Sequence, residues 1–370
     1  MSWQSYFPTK VFFGAYAVVE NAAACGPLGK RALIVTGRGG SARQTGALDD
    51  LLRVLTQTSI KWEIFDQVEA NPSIETARKG ARQARIRQAD FIIGIGGGSP
   101  LDAAKAIAVL TANEVSDEEL FTRKFERVLP IVAIPTTAGT GSEVTPYSIL
   151  TNPATEAKQR ILSPRIIPQI AFLDPRYTME LPARVTWDTA IDAYSHNLES
   201  FLCTKATPFT DLLAKEGLRI LGAELKNLAA DGTTLTWKNR SNLLFGSLLG
   251  GLAISITGTT IPHSLGFNLT YYKNIPHGRA NGMIMPAYMH FNCHKSNDPK
   301  TGEALQLSGF NDLQEFTDIM RVLSGDPPPC DAREKNLFIA KTMGAGNINF
   351  NLVPPEREDI EQLLESVLNH

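Results

Sequence analysis

The sequence predicts an α/β part with a mostly parallel sheet, followed by an all-helical part. Three observations carry this. Up to about Asp174 short apolar runs alternate with segments of helical periodicity, the strand-like runs stop after Asp174 and Pro175, and only helical periodicity follows. The expected division is an α/β domain over residues 1–178 and a helical domain over 179–370. A chain of 370 residues that is 43% hydrophobic has enough apolar material for two cores.

Taken in order, residues 31–36, 62–65, 90–94, 130–134 and 170–174 read as buried strands. Helical segments at 47–58, 74–87 and 103–111 lie between the first four, which is the βαβ pattern of a Rossmann-like sheet. The second half reads as helices at 187–203, 210–230, 240–256, 280–294, 312–323 and 355–369. The run over 243–261 resembles a membrane span, but Gly246, Ser247, Gly250, Gly251, Ser255 and Thr257 dilute it below the ~20 apolar residues a span requires. It reads instead as a buried, closely packed helix.

A formal net charge of -2 and a pI near 6.3, without long basic runs, argue against a nucleic-acid partner. Cys25, Cys203, Cys293 and Cys330 are scattered without CxxC spacing and read as reduced thiols. The N-terminus lacks the charged and apolar regions of a secretory signal, so no membrane association and a cytoplasmic location are expected.

The stretch from Gly94 to Asp102 follows a strand and opens a helix, and its glycines let backbone amides approach an anion at the helix start. Ser99 suits the N-cap and Pro100 the first helical position, while Ser99 with Asp102 also suits a capping-box variant. Ser99 stands where the usual dinucleotide fingerprint has glycine, so alone the stretch says only that an anion binds there. A second loop, 134–146, packs hydroxyls with glycines after a strand and equally suits a polar turn before a hairpin. A third follows the first strong strand at Gly37, Arg38 and Ser41, where an acid would meet a ribose and a base a 2′-phosphate.

Asp192 and His196 stand four apart, on one face of a helix, and each can offer a lone pair to a metal. His263 and His277 each follow a proline at an expected element boundary, and the four together make one oxygen and three nitrogen donors. That set suits Fe²⁺ or Zn²⁺ better than Mg²⁺ or Ca²⁺. Taken alone, the Asp192/His196 spacing more often marks a solvated helix face than a ligand pair. His290 and His294, with Cys293 between them, have the same spacing, so spacing does not choose.

These pieces stand in the order of a known family. GGGSPLDAAKA from Gly96, PTTAGTGSEVTP from Pro135, FLDPRYT from Phe172, DAYSH from Asp192, and HSLG and PHGRANG around His263 and His277 together resemble the iron-containing, or group III metal-dependent, alcohol dehydrogenases. TPYSIL and AFLDPRYT are most similar to the 1,3-propanediol or propanol dehydrogenase subgroup.

The resemblance implies a dinucleotide-binding domain and a metal-binding, catalytic helical domain, as in the related dehydroquinate synthase-like architecture. It implies hydride transfer between nicotinamide C4 and a small primary alcohol or aldehyde bound to a divalent metal. Asp192, His196, His263 and His277 match the family's metal ligands, whereas His290 and His294 match none. Gly97, Gly98, Ser99 and Asp102 match the pyrophosphate turn, Asn71 a cofactor-contacting position, Thr136 and Thr137 the loop beside adenine and ribose, and Lys158 a contact to the nicotinamide-side ribose. Some relatives carry aspartate where Gly37 stands; glycine followed by Arg38 and Ser41 favours NADP(H) over NAD(H).

Fe²⁺ is the expected metal, with Zn²⁺ as the alternative, and a homodimer is expected, built through the strand near residues 10–13. Many family members have a second histidine four residues after the ligand matching His263, proposed to relay a proton, and this chain has Phe267 there. That ring either narrows the pocket or packs in the core. Two other readings are a glycerol dehydrogenase-like polyol oxidoreductase and a non-catalytic nucleotide-binding protein that retains the fold. DAYSH with both later histidines argues against each.

Overall fold

The computed structural model describes residues 3–155, 157–231 and 235–368. The chain forms two compact units, one of residues 6–137 and 141–181, the other of 1–5, 138–140 and 182–370. The first carries β1 (Lys10–Phe13), α1 (Ala17–Asn21), β2 (Arg31–Gly37), α2 (Ser41–Gln44), α3 (Ala47–Gln57), β3 (Lys61–Val68), α4 (Ile74–Ile86), β4 (Phe91–Gly96), α5 (Gly98–Ala112), α6 (Asp117–Phe121), β5 (Ile131–Pro135), β6 (Tyr147–Asn152), β7 (Ala157–Leu162) and β8 (Ile170–Leu173).

Six strands form a parallel sheet in the order β1-β8-β5-β4-β2-β3, and β6 pairs antiparallel with β7. Successive side chains of a strand point to opposite faces. Leu33 and Val35 therefore enter a core with Ala77, Ala81 and Ile107 of α4 and α5, while Ala32 and Ile34 enter another with Val18, Leu48 and Leu51 of α1 and α3. Covering on both faces explains the near-continuous apolar strands legible in the sequence. From β2 the chain moves outward to β3 and returns on the other side of β2 as β4, so the direction of strand order switches between β2 and β4. Doubly wound sheets bind ligands at the carboxyl ends of strands flanking such a switch.

The second unit carries α7 (Ala183–Phe201), α8 (Pro208–Asp231), α9 (Trp237–Thr257), α10 (Ile261–Lys273), α11 (His277–Lys295), α12 (Lys300–Leu307), α13 (Leu313–Ser324), α14 (Ala332–Met343) and α15 (Arg357–Leu368). Among the described residues this unit has no strand beyond an isolated bridge, so the expected α/β and helical classes are both present. Residue 369 of the expected last helix lies outside the described residues. α7 is the central helix, buried almost continuously from Ala190 to Phe201. In α9 the small residues have the expected use, since a Cβ at Gly250 would come 3.1 Å from His196 Cβ on α7. No single helix among the described residues is long and apolar enough to cross a membrane.

The start of α5 corrects the sequence reading. Gly97, not Ser99, is the N-cap, no side chain caps the helix, and Pro100 is its third residue. The capping-box reading fails as well, because the Asp102 carboxylate accepts from Ser142 Oγ at 2.7 Å and Ile149 N at 3.0 Å. The β6/β7 hairpin and helices α10, α12 and α14 were not identified in the sequence, and of these α12 has only eight residues.

Candidate metal and nucleotide sites

In the helical unit the ligand atoms of Asp192, His196 and His263 lie within 4.8 Å of one another, and all three residues are buried. Asp192 and His196 project from one face of α7, His263 from the first turn of α10, and His277 is the first residue of α11. Asp192 Oδ1 stands 3.9 Å from His196 Nε2 and 3.7 Å from Nε2 of both His263 and His277. α11 reaches α7 this closely because residue 278 is glycine; a Cβ there would sit 1.7 Å from Asp188 O and 3.0 Å from Asp192 Cβ. Arg279 fixes the same approach with a two-pronged pair to Asp188, both contacts at 2.9 Å.

The other ring nitrogens decide what this cluster can hold. His196 Nδ1 is 3.2 Å from the Gly139 carbonyl, which can only accept, so Nδ1 carries the proton. His263 Nδ1 is 2.5 Å from Glu199 Oε1, and donates to it in the same way. Both Nε2 lone pairs then face each other at 2.9 Å beside a carboxylate. Such a convergence of lone pairs is unfavourable unless something positive lies among them. Burial also pushes the His196 pKa below its usual value, favouring the neutral ring that ligates. Asn281 Nδ2 donates to Asp192 Oδ1 at 3.1 Å and orients it. One oxygen and three nitrogen donors, with the tautomers of His196 and His263 fixed from behind, fit a first-row divalent cation.

In the α/β unit three loops singled out in the sequence stand at the carboxyl ends of adjacent strands β2, β4 and β5. Gly96 has φ +143°, and a Cβ on it would lie 2.7 Å from Pro100 Cγ, so the turn before α5 requires glycine. Gly97 and Gly98 follow as N-cap and first residue of α5. Thr136 N donates to Gly96 O at 2.9 Å, a Cβ on Gly97 would come 3.1 Å from Thr137 Oγ1, and Asn71, at φ 55°, donates its N–H to Ser99 Oγ at 3.2 Å. Gly37 ends β2, Arg38 is exposed, and Ser41 opens α2 behind the left-handed Gly40. Lys158 lies on β7 opposite Thr151 of β6.

Behind these turns Lys105 is fully buried. Its Nζ donates to Ser142 Oγ at 2.9 Å, Thr145 O at 3.0 Å and Tyr147 O at 2.7 Å. Burial pushes its pKa down to about 8 despite Asp102 and Glu143 nearby, and pushes that of buried Glu143 up to about 7. Asp102 and Lys105 thus grip Ser142 and fasten the second loop to α5.

Comparison with known proteins agrees with this geometry. The sequence model of iron-containing alcohol dehydrogenases matches residues 8–175, and that of the Fe-containing alcohol dehydrogenase C-terminal family matches 186–368. The chain belongs to the iron-containing alcohol dehydrogenase family. It is accordingly an alcohol dehydrogenase, an oxidoreductase acting on CH–OH groups. Among its relatives, 1,3-propanediol dehydrogenase of Klebsiella pneumoniae is 35% identical over 82% of this chain and 79% of that protein. The NADPH-dependent butanol dehydrogenase of Clostridium saccharobutylicum is 33% identical over 78% of this chain and 75% of that protein. The crystal structure of an iron-containing alcohol dehydrogenase from Thermotoga maritima superposes with a TM-score of 0.91 at 38% identity, covering 100% of both chains.

Within this family member the alternative histidine pair is set apart by its surroundings. His290 and His294 are exposed on α11 with their rings tilted against each other, centroids 4.1 Å apart, and among the described residues they join no cluster of three metal-binding side chains. The four cysteines are free thiols. Phe267 is half-buried and stacks on His277 with ring centroids 4.9 Å apart, so it lies against the ligand cluster rather than in a hydrophobic core. Glu199, Asn281 and Gly139 were missed in the sequence. Glu199 stands seven residues after Asp192 and Asn281 four after His277, so helical spacing carried a signal for both, whereas Gly139 acts only through its backbone.

Proposed function

We propose that this alcohol dehydrogenase interconverts a small primary alcohol, of the 1,3-propanediol or propanol type, and its aldehyde, with NADP(H) preferred over NAD(H) and with Fe²⁺ or Zn²⁺ held by Asp192, His196, His263 and His277. The supporting observation is the convergence of the two Nε2 atoms, 2.9 Å apart, on the Asp192 carboxylate, with both Nδ1 protons engaged behind them. A divalent cation held there supplies Lewis acidity, polarising a carbonyl oxygen or lowering the pKa of an alcohol hydroxyl.

The chain's own residues supply the rest. The amides at Gly97, Gly98 and Ser99, at the start of α5, suit a pyrophosphate, and Asn71, Thr136 and Thr137 line the adjoining loop ends. Arg38 makes no ion pair among the described residues, and Gly37 before it presents no carboxylate to a ribose, so this turn suits a 2′-phosphate. Asp102 serves by anchoring Ser142, and Lys158 of the hairpin is assigned to the nicotinamide-side ribose. Phe267 has no proton to give, so the substrate proton leaves through another group, and its ring restricts the space beside His277 in favour of small substrates.

The test is an anaerobic assay of metal-free protein with propanal, comparing NADPH with NADH before and after addition of Fe²⁺ or Zn²⁺. Metal-dependent oxidation faster with NADPH is expected. Turnover unaffected by metal would remove the four-residue site, and equal rates with both nucleotides would remove the Arg38 assignment.

A further inference from the structure

We infer that Glu199 is a positioning residue for the metal centre, holding His263 in its ligating tautomer and supplying the second negative charge that balances a divalent cation. The inference rests on the metal reading above and extends it to a residue outside the ligand set. Glu199 is completely buried on α7, in line with Asp192 and His196. Its Oε1 faces His263 Nδ1 at 2.5 Å, and its Oε2 accepts from Thr260 N at 2.6 Å and Thr260 Oγ1 at 3.3 Å. Thr260 precedes α10, so one carboxylate grips both the start of the helix that carries His263 and the ring itself.

Charge supports the same assignment. Among the described residues neither Asp192 nor Glu199 pairs with lysine or arginine; their ion-pair partners are histidines. Two buried carboxylates without a lysine or arginine partner suit a site whose charge a divalent cation would balance. The two imidazoles are backed unequally, His196 by the neutral Gly139 carbonyl and His263 by a full charge. A ring hydrogen-bonded to a carboxylate is the more basic donor, so His263 is the stronger ligand of the pair. In Glu199→Gln one amide cannot offer an oxygen to both Thr260 N and His263 Nδ1, and an NH₂ turned towards His263 favours the tautomer whose Nε2 is protonated and cannot ligate.

The experiment uses the full chain stripped of metal, with Zn²⁺ as the probe. Zn²⁺ affinity is measured by competition with a chromophoric chelator, melting temperature with and without Zn²⁺, and the tautomer of His263 by ¹⁵N NMR of the imidazoles. Wild type is expected to show His263 protonated at Nδ1 and to bind Zn²⁺. Glu199→Gln should bind Zn²⁺ about 10–100-fold more weakly and lose most of the melting-temperature gain from Zn²⁺, with a smaller change in metal-free stability. Glu199→Asp, which keeps the charge, should recover part of the affinity. A Gln variant that binds Zn²⁺ as tightly as wild type overturns the inference alone, as does equal lowering of both melting temperatures. His263 protonated at Nε2 in metal-free wild type overturns it without any variant. Absence of Zn²⁺ binding by wild type overturns the metal reading and this inference with it.

Discussion

Two polar clusters, one in each unit, hold two carboxylates apiece and solve that problem differently. In the α/β unit Asp102 and Glu143 have Lys105 beside them, whose ammonium donates into Ser142, Thr145 and Tyr147. In the helical unit Asp192 and Glu199 have three histidines and, among the described residues, no lysine or arginine partner. The first cluster contains its own cation and is complete as a structural device. On the proposed reading the second is completed by a cation from outside, and that would separate a ligand site from a buried network of similar composition.

The largest expected effect comes from opening the second cluster. His263→Ala should lower turnover by more than about 10⁴-fold, because the Lewis acidity lost exceeds the ~10²–10⁴ contributed by a positioned general base. Nucleotide binding, followed by fluorescence titration, should persist. His290→Ala, on the exposed pair, should change turnover less than about twofold, the small effect usual at the surface. Near-normal turnover in His263→Ala would remove the contrast between the clusters.

Removing the internal cation of the first cluster should act on stability instead. Lys105→Met leaves buried acceptors at Ser142, Thr145 and Tyr147 without their donor, and a cost of about 3–5 kcal/mol is expected from urea unfolding. Added Zn²⁺ should stabilise this variant and wild type by the same increment. A loss of that increment would mean the two clusters are not independent.

A smaller effect depends on pH. Burial raises Glu143 from 4.5 to about 7 in the folded chain. Between those values the folded state binds a proton that the unfolded state does not, so the contribution of Glu143 to stability is full below about pH 4.5 and is lost as pH rises through 7. Glu143→Gln should therefore match wild type at about pH 4 and be more stable by about 3 kcal/mol at about pH 8. An equal difference at both pH values would show that the carboxyl does not titrate in this range.

A smaller effect again is expected at exposed Arg38. Arg38→Ala should raise the NADPH Michaelis constant about 10-fold, the value of one charge-assisted contact to phosphate, and leave that for NADH within about twofold. Equal changes for both nucleotides would remove Arg38 from 2′-phosphate recognition.

The sequence alone determined the class of each unit. Strands covered on both faces must be apolar throughout, so 31–36, 90–94 and 130–134 were legible as β2, β4 and β5, and the glycines before α5 marked the anion turn. Asp192 and His196 were legible as half of a donor set because helical spacing puts them on one face. His290 and His294 had the same spacing, so spacing did not separate the pairs; only the DAYSH motif matched the first of them to the family. The tertiary structure supplied the physical reason, burying one pair against α10 and α11 and leaving the other exposed. It also decided that Asp102 holds a loop instead of capping a helix, that Phe267 lies against His277, and that Glu199 and the Gly139 carbonyl fix the rings of His263 and His196. Those contacts join residues between 40 and 64 positions apart, apart from the short step from Phe267 to His277. Local propensity and periodicity extend only a few turns, so partners at such separations are chosen by packing.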